Sequence, residues 1–218
     1  TAFAAGVKTN NGMISTSPEG KELKTILETA EEEGKASGLV ATSTITHATP
    51  AVFASHVATR ADEAGIAPQL IDKDVDVILG GGKKYFPESL LKQAKEKGYQ
   101  YISSKNDLGK AEEFDKLIGL FAEDALAPEL DRDTTNQPSL REMTETALEV
   151  LNKDKDGFFL MVEGSQIDWA GHDHDAAWAM KDSEAFEQAL EAALEFAKKD
   201  KNTLIVVAGD HDTGGMAV

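Results

Sequence analysis

The chain has 218 residues, 41% of them hydrophobic, enough to bury a sizeable core in one large α/β domain or two small ones. Thirty-nine acids against 22 bases give a formal charge of -17, which argues against a nucleic-acid phosphate backbone or an anionic membrane surface as partner. Cysteine is absent, so disulfides, thiolate nucleophiles and cysteine zinc sites are excluded, and any metal must be held by His, Asp or Glu.

In chain order, "TAFAAG" reads as the last turns of a helix closed by Gly6. A helix over 22–33 and a strand over 38–45 follow. A second helix is expected over 50–64, with Pro50 in the first turn, where its missing N–H costs nothing. Apolar runs at 75–81, 99–104 and 116–122 read as strands. Segment 126–138 is polar, contains proline and has no period, so it is a long excursion. In "PSLREMTETALEVL", Ser139 and Glu142 form a capping box ahead of an apolar stripe at Met143, Ala147, Leu148 and Leu151. A strand over 157–164 leads to a helix over 182–199 with Phe186, Leu190, Ala193, Leu194 and Ala197 on one face. A last strand is expected at 203–209.

Several of these runs are continuously apolar, which suits strands buried on both faces of a parallel sheet. The β-α alternation predicts an α/β fold: a doubly wound, mostly parallel sheet flanked by helices, with residues 1–218 in a single domain. No apolar run reaches the roughly 20 residues that span a bilayer, and the start lacks a basic region followed by a hydrophobic stretch, so neither membrane span nor signal peptide is expected in this chain. A helix end at Thr1 with no beginning, and a stop directly after a strand in "AGDHDTGGMAV", predict a piece of a larger catalytic domain.

In open α/β sheets ligands bind outside the carboxyl ends of the strands. Three strand exits carry suitable side chains. His47 and Thr49 follow the first strand; Glu163, Asp168 and His172 follow the fifth; Asp210, His211 and Asp212 follow the last. Together they offer hard oxygen and imidazole donors for zinc, or for zinc with magnesium. Asp168 and His172 are four apart, which brings both to one side of a helical turn. The same clusters also fit a solvated loop with N-cap chemistry. His56 reads as structural and His174 as exposed. "LGGGKKYF" lacks the spacing of a phosphate loop, and "AGDHDTGG" is no dinucleotide fingerprint.

Taken together, "THATPAVFASHVATR", "VDVILGGGKKYF", "GFFLMVEGSQIDWAGHDHD" and "VVAGDHDTGG" resemble, in this order and separation, the segments of alkaline phosphatases. The resemblance runs nearly end to end. It implies a two-zinc, one-magnesium phosphomonoesterase that works through a phosphoserine intermediate on small phosphate monoesters. Carried over residue by residue, Asp168 and His172 would ligate the first zinc, Asp210 and His211 the second, and Thr49 and Glu163 the magnesium. Arg60 matches the arginine that binds two phosphate oxygens, a task suited to its planar fork. His47 stands where the enteric bacterial members have an Asp near magnesium, and Trp169 where they have a Lys near phosphate. Other branches, animal and marine bacterial ones among them, resemble this sequence at His47.

The resemblance also places the serine nucleophile a few residues ahead of Thr1, so this chain alone is expected to be inactive. It implies a homodimeric parent exported to the periplasm or beyond. Two alternatives stay open: a related metal-dependent phosphomutase or sulfatase-superfamily enzyme, and a non-catalytic metal-binding domain.

Overall fold

The computed structural model describes residues 1–215, leaving aside the side chains of residues 111 and 112. Helix α1 (Ala2–Ala5) ends at Gly6, whose φ of 68° is the left-handed cap conformation. Helix α2 (Ile26–Glu32) starts later than expected, because residue 22 pairs with Thr16 in a bridge and the capping box is made by Thr25 and Glu28. Strand β1 (Ala36–Thr44) follows.

The helix expected over 50–64 is in fact two. Helix α3 (Ala48–Ala54) stops early, and α4 (Glu63–Asp72) begins at the cap Asp62. Between them Val57 pairs with Ile14, and the Arg60 N–H donates to the Gly12 carbonyl at 2.6 Å. Those bonds take the backbone groups a continuing helix would need. Arg60 therefore sits on a turn rather than on a helix.

Beyond it come β2 (Val77–Gly81), α5 (Glu88–Glu96), β3 (Gln100–Ile102), β4 (Leu117–Leu120), α6 (Leu140–Leu151), β5 (Phe158–Glu163), α7 (Gln166–His172) and α8 (Ala176–Asp200). The Ser139 and Glu142 capping box opens α6 as the sequence predicts.

The five strands form one parallel sheet in the order β3-β4-β2-β1-β5. Side chains alternate between two covered faces. Leu39, Ala41, Ile78, Ile118 and Leu120 meet α2 to α5 through Leu27, Phe53, Ile66 and Leu90. Val40, Val77, Leu79 and Leu117 meet α6 and α8 through Leu140, Met143, Leu151 and Ala189. Each fully buried Leu or Ile contributes roughly 1.5–3 kcal/mol, so this double cover fixes the central strands and hence the edge where they end.

Two expectations fail here. Residues 203–209 form no strand, and Leu204 and Val206 remain 87% and 79% exposed. A strand exists only with a partner, and among the described residues this run has none. On α8 the buried stripe is Asp182, Ala185, Ala189 and Ala192, one position before the expected face, while Leu194 is exposed. The small alanines let α8 approach α6 closely, and Phe186 packs at the margin.

His56 lies just past α3 and is structural, as the sequence suggests. Its Nε2 meets Glu28 Oε1 at 2.9 Å and its Nδ1 faces the Ser15 carbonyl at 2.8 Å. Burial alone would raise the Glu28 carboxyl, but Lys73, His56 and the Thr25 N–H outweigh it and hold it at about 2. A depressed carboxyl adds stability that is full above its unfolded value and lost as pH falls through the folded one. Glu28→Gln should therefore cost ~1.5 kcal/mol at pH 7 after allowance for solvent screening. Urea denaturation should show that difference closing between pH 4 and about 2; a difference independent of pH would refute it.

Candidate metal and phosphate site

Strands β1 and β5 are neighbours, with Ala41 paired to Glu163. From β1 the chain moves outward to β2, and it returns across the sheet to place β5 on the other side. This pair is therefore the topological switch point, where the loops diverge and leave a crevice. Both exits carry the predicted side chains. After β1, His47 caps α3 and Thr49 lies in its first turn. After β5, Glu163 ends the strand, and α7 carries Asp168, Trp169 and His172.

Glu163 lies deepest. Its Oε2 accepts from Ser165 Oγ at 2.7 Å, and the Thr49 hydroxyl also bonds the carboxyl. Burial pushes this carboxyl up; the two hydroxyls oppose that, and the charges of Asp210 and Asp168 add to it. Ser165 is buried and also accepts the Ser43 N–H at 3.1 Å, so its hydroxyl is committed to holding the strand exits together.

On the other flank Arg60 Nη2 donates to His47 Nε2 at 3.0 Å. Nε2 is thus the acceptor, and the ring proton belongs on Nδ1, which is buried without a partner among the described residues. Burial first, and the Arg60 charge second, push the His47 pKa down and keep the ring neutral. Trp169 packs edge-on against it at 5.7 Å between centroids. Arg60 itself is exposed at the rim.

The remaining candidates fall into two pairs. His172 Nε2 stands 3.6 Å from Asp168 Oδ2, and His211 Nε2 stands 3.5 Å from Asp210 Oδ2. A residue absent from the sequence prediction joins them: Thr213 Oγ1 donates to Asp168 Oδ1 at 2.5 Å and lies 3.2 Å from His211 Nδ1. That contact depends on two glycines. A Cβ on Gly171 would stand 2.7 Å from the Thr213 carbonyl oxygen, and one on Gly214 would stand 2.1 Å from the Gly171 oxygen. Only bare backbone lets the 210–215 loop lie this close to α7.

The nine predicted site residues thus lie at one sheet edge, in small groups joined by hydrogen bonds, close acid-imidazole contacts and ring packing. Among the described residues no three His, Asp or Glu side chains converge at a spacing that would hold a metal ion. The donor chemistry nonetheless fits divalent cations. The charges of Asp210 and Asp168 reach the Glu163 carboxyl, beside hydroxyl and imidazole donors. His174 is exposed with a φ of 54° and takes no part.

A crevice at a switch point of a parallel α/β sheet, lined here by acid-imidazole pairs and a rim arginine, is where open sheets of this kind bind their ligands. The family model for alkaline phosphatase matches residues 1–218, and the chain belongs to that family. It is 52% identical to alkaline phosphatase 3 of Bacillus subtilis over 227 residues, covering 100% of this chain and 49% of that protein. Alkaline phosphatase 4 of the same organism is 48% identical with the same coverage. The chain therefore spans about half the length of the curated relatives it matches. Among solved structures, the cold-active alkaline phosphatase of a psychrophilic Shewanella superposes with a TM-score of 0.91 at 39% identity, over 98% of this chain and 53% of that one. A variant of the enzyme from the Antarctic bacterium TAB5, solved with magnesium bound, gives 0.91 at 36% identity, over 98% and 63%.

Proposed function

We propose that the protein containing these residues hydrolyses phosphate monoesters at the β1/β5 crevice through a phosphoserine intermediate. The observation that carries this reading is the Arg60 guanidinium, fixed on neutral His47 at 3.0 Å beside the Glu163, Asp168 and Asp210 carboxylates. Asp168 with His172 and Asp210 with His211 would hold two zinc ions, and Thr49 with Glu163 a magnesium ion. Bound there, such ions supply positive charge to the attacking and leaving oxygens of a phosphoryl group.

The chain's own residues supply the rest. Arg60 offers a planar fork to two phosphate oxygens. His47, accepting from Nη2, fixes the plane of that fork, and Trp169 shields one edge of the imidazole from water. The serine of the proposed intermediate is expected from another part of the whole protein. Ser165, tied to Glu163 and Ser43, does not replace that serine, so the 218-residue stretch alone has no turnover.

We carry to the whole protein a homodimeric state and export to the periplasm or beyond, checked by light scattering and cell fractionation. We also read residues 1–218 as one α/β unit of a larger catalytic domain; the exposed Leu204 and Val206, and the pairing of β5 on one side only among the described residues, support this. Among the described residues no helix is long and apolar enough to cross a membrane.

Calorimetric titration with zinc tests the site. The chain should bind weakly, and Asp168→Ala and Asp210→Ala should each weaken binding further. Absent binding, or binding indifferent to both changes, would count against the reading. Hydrolysis of p-nitrophenyl phosphate by the 218-residue chain, abolished by Arg60→Ala, would overturn its inactivity.

A further inference from the structure

We propose that Glu63 is a positioning residue that keeps His47 and Arg60 in register for phosphate; the proposal rests on the phosphatase reading. Glu63 is the first residue of α4, three beyond Arg60, and its carboxylate reaches back to the turn that delivers His47. Glu63 Oε2 accepts from Thr44 Oγ1 at 2.5 Å and from Thr46 Oγ1 at 2.7 Å, and Oε1 accepts from Tyr85 OH at 3.2 Å. Thr44 and Thr46 are buried. One carboxylate thus ties the exit of β1, the start of α4 and the turn after β2 into a single node.

The chemistry of the node favours an acid. A carboxylate only accepts, so one of its oxygens can take two hydroxyl protons at once, and it sits at a helix N-terminus where negative charge is favoured. Its charge also reaches His47, where it opposes the effect of Arg60. Elsewhere the two partners hang from different supports. The His47 N–H donates to the Thr44 carbonyl at 2.9 Å, whereas the Arg60 N–H donates to Gly12. Glu63 bonds the first support, Thr44, directly and lies three residues beyond Arg60 in the chain, so it bears on the His47 to Arg60 distance without touching the phosphate.

The test uses the whole metal-loaded phosphatase, with p-nitrophenyl phosphate as substrate and inorganic phosphate as competitive inhibitor. Glu63→Ala should raise KM and the phosphate inhibition constant about tenfold while kcat stays within about threefold. Thr46→Val, which removes one donor from the node, should move both constants the same way by a smaller factor. In an Arg60→Ala background the Glu63→Ala effect should shrink below about twofold, since residues acting through one another are not additive. A merely structural role would instead lower kcat with KM and add in full to Arg60→Ala. If Glu63→Ala does not fold, Glu63→Gln and Thr46→Val carry the same comparison.

An unchanged inhibition constant in these variants, or a full effect in the Arg60→Ala background, would overturn the assignment. An unchanged constant in Arg60→Ala itself would overturn the phosphatase reading instead.

Discussion

Arg132→Met is expected to destabilise the chain by about 3–5 kcal/mol, the cost of leaving buried charge without its partner. Arg132 lies in the 126–138 excursion and is only 5% exposed; Asp182 on α8 is 3% exposed. The guanidinium donates to the Pro138 carbonyl at 3.2 Å and its Nε stands 3.4 Å from Glu129 Oε2, while Asp182 Oδ2 accepts the Glu129 N–H at 3.1 Å. Burial pushes the Asp182 carboxyl up, and the Glu129 N–H and the Arg132 charge hold it back. Without Arg132, the Glu129 charge acts on the Asp182 carboxyl with no Arg132 charge to oppose it.

A raised carboxyl makes stability fall as pH rises above its unfolded value, because the folded state then keeps a proton the unfolded state has released. The Arg132→Met loss should therefore be largest at pH 7 and smaller at pH 5. Adding Asp182→Asn should recover part of it, since no buried charge at that position is then left unmatched. Urea denaturation of the single and double variants at both pH values reads this out. A loss below about 1 kcal/mol, within the range of exposed pairs, would sink the argument. The consequence reaches the site, because the excursion also holds α7: Gln166 Nε2 donates to the Leu126 carbonyl at 2.7 Å, and the Leu126 N–H to Thr42.

What the sequence discloses follows from the range of the forces involved. The strands up to β5 are legible because a continuous apolar run is a local signal, and α6 because a capping box is written within four residues. The break between α3 and α4 is not local: it is imposed by Gly12 and Ile14, more than 40 residues earlier in the chain. The run at 203–209 carries a strand's side chains, but pairing is a property of two segments. At the site, residue types are legible for Thr49, Glu163, Asp168 and Asp210, and strand exits for the first three. Their mutual bonds are not, since Arg60 reaches His47 and Thr213 reaches Asp168 through loop geometry. Thr213 has one sequence cue, its place two residues after His211. Glu63 has none, because nothing in "TRADEAG" announces the threonines it holds.

Zinc affinity of the whole protein should fall in a graded order, with Asp168→Ala the most severe, Thr213→Val intermediate and Thr213→Ser close to the parent. On the proposed two-zinc reading Asp168 would offer the carboxylate itself, so its loss would remove a ligand. Thr213 acts through orientation. By donating to Asp168 Oδ1 at 2.5 Å it occupies one oxygen and leaves Oδ2 toward His172. The same hydroxyl oxygen and the Asp212 carbonyl both lie 3.2 Å from His211 Nδ1, so the proton belongs on Nδ1 and Nε2 keeps its lone pair. One hydroxyl would thus orient a proposed ligand from each pair, and losing such an outer partner typically costs about 10–100-fold in metal affinity. Valine matches threonine in shape but lacks the donor, whereas serine keeps the donor and loses a methyl. Competition against a zinc chelator gives the affinities without depending on turnover. Equal affinities for Thr213→Val and Thr213→Ser would mean that packing of the loop against Gly171, not the hydroxyl, holds Asp168 in place.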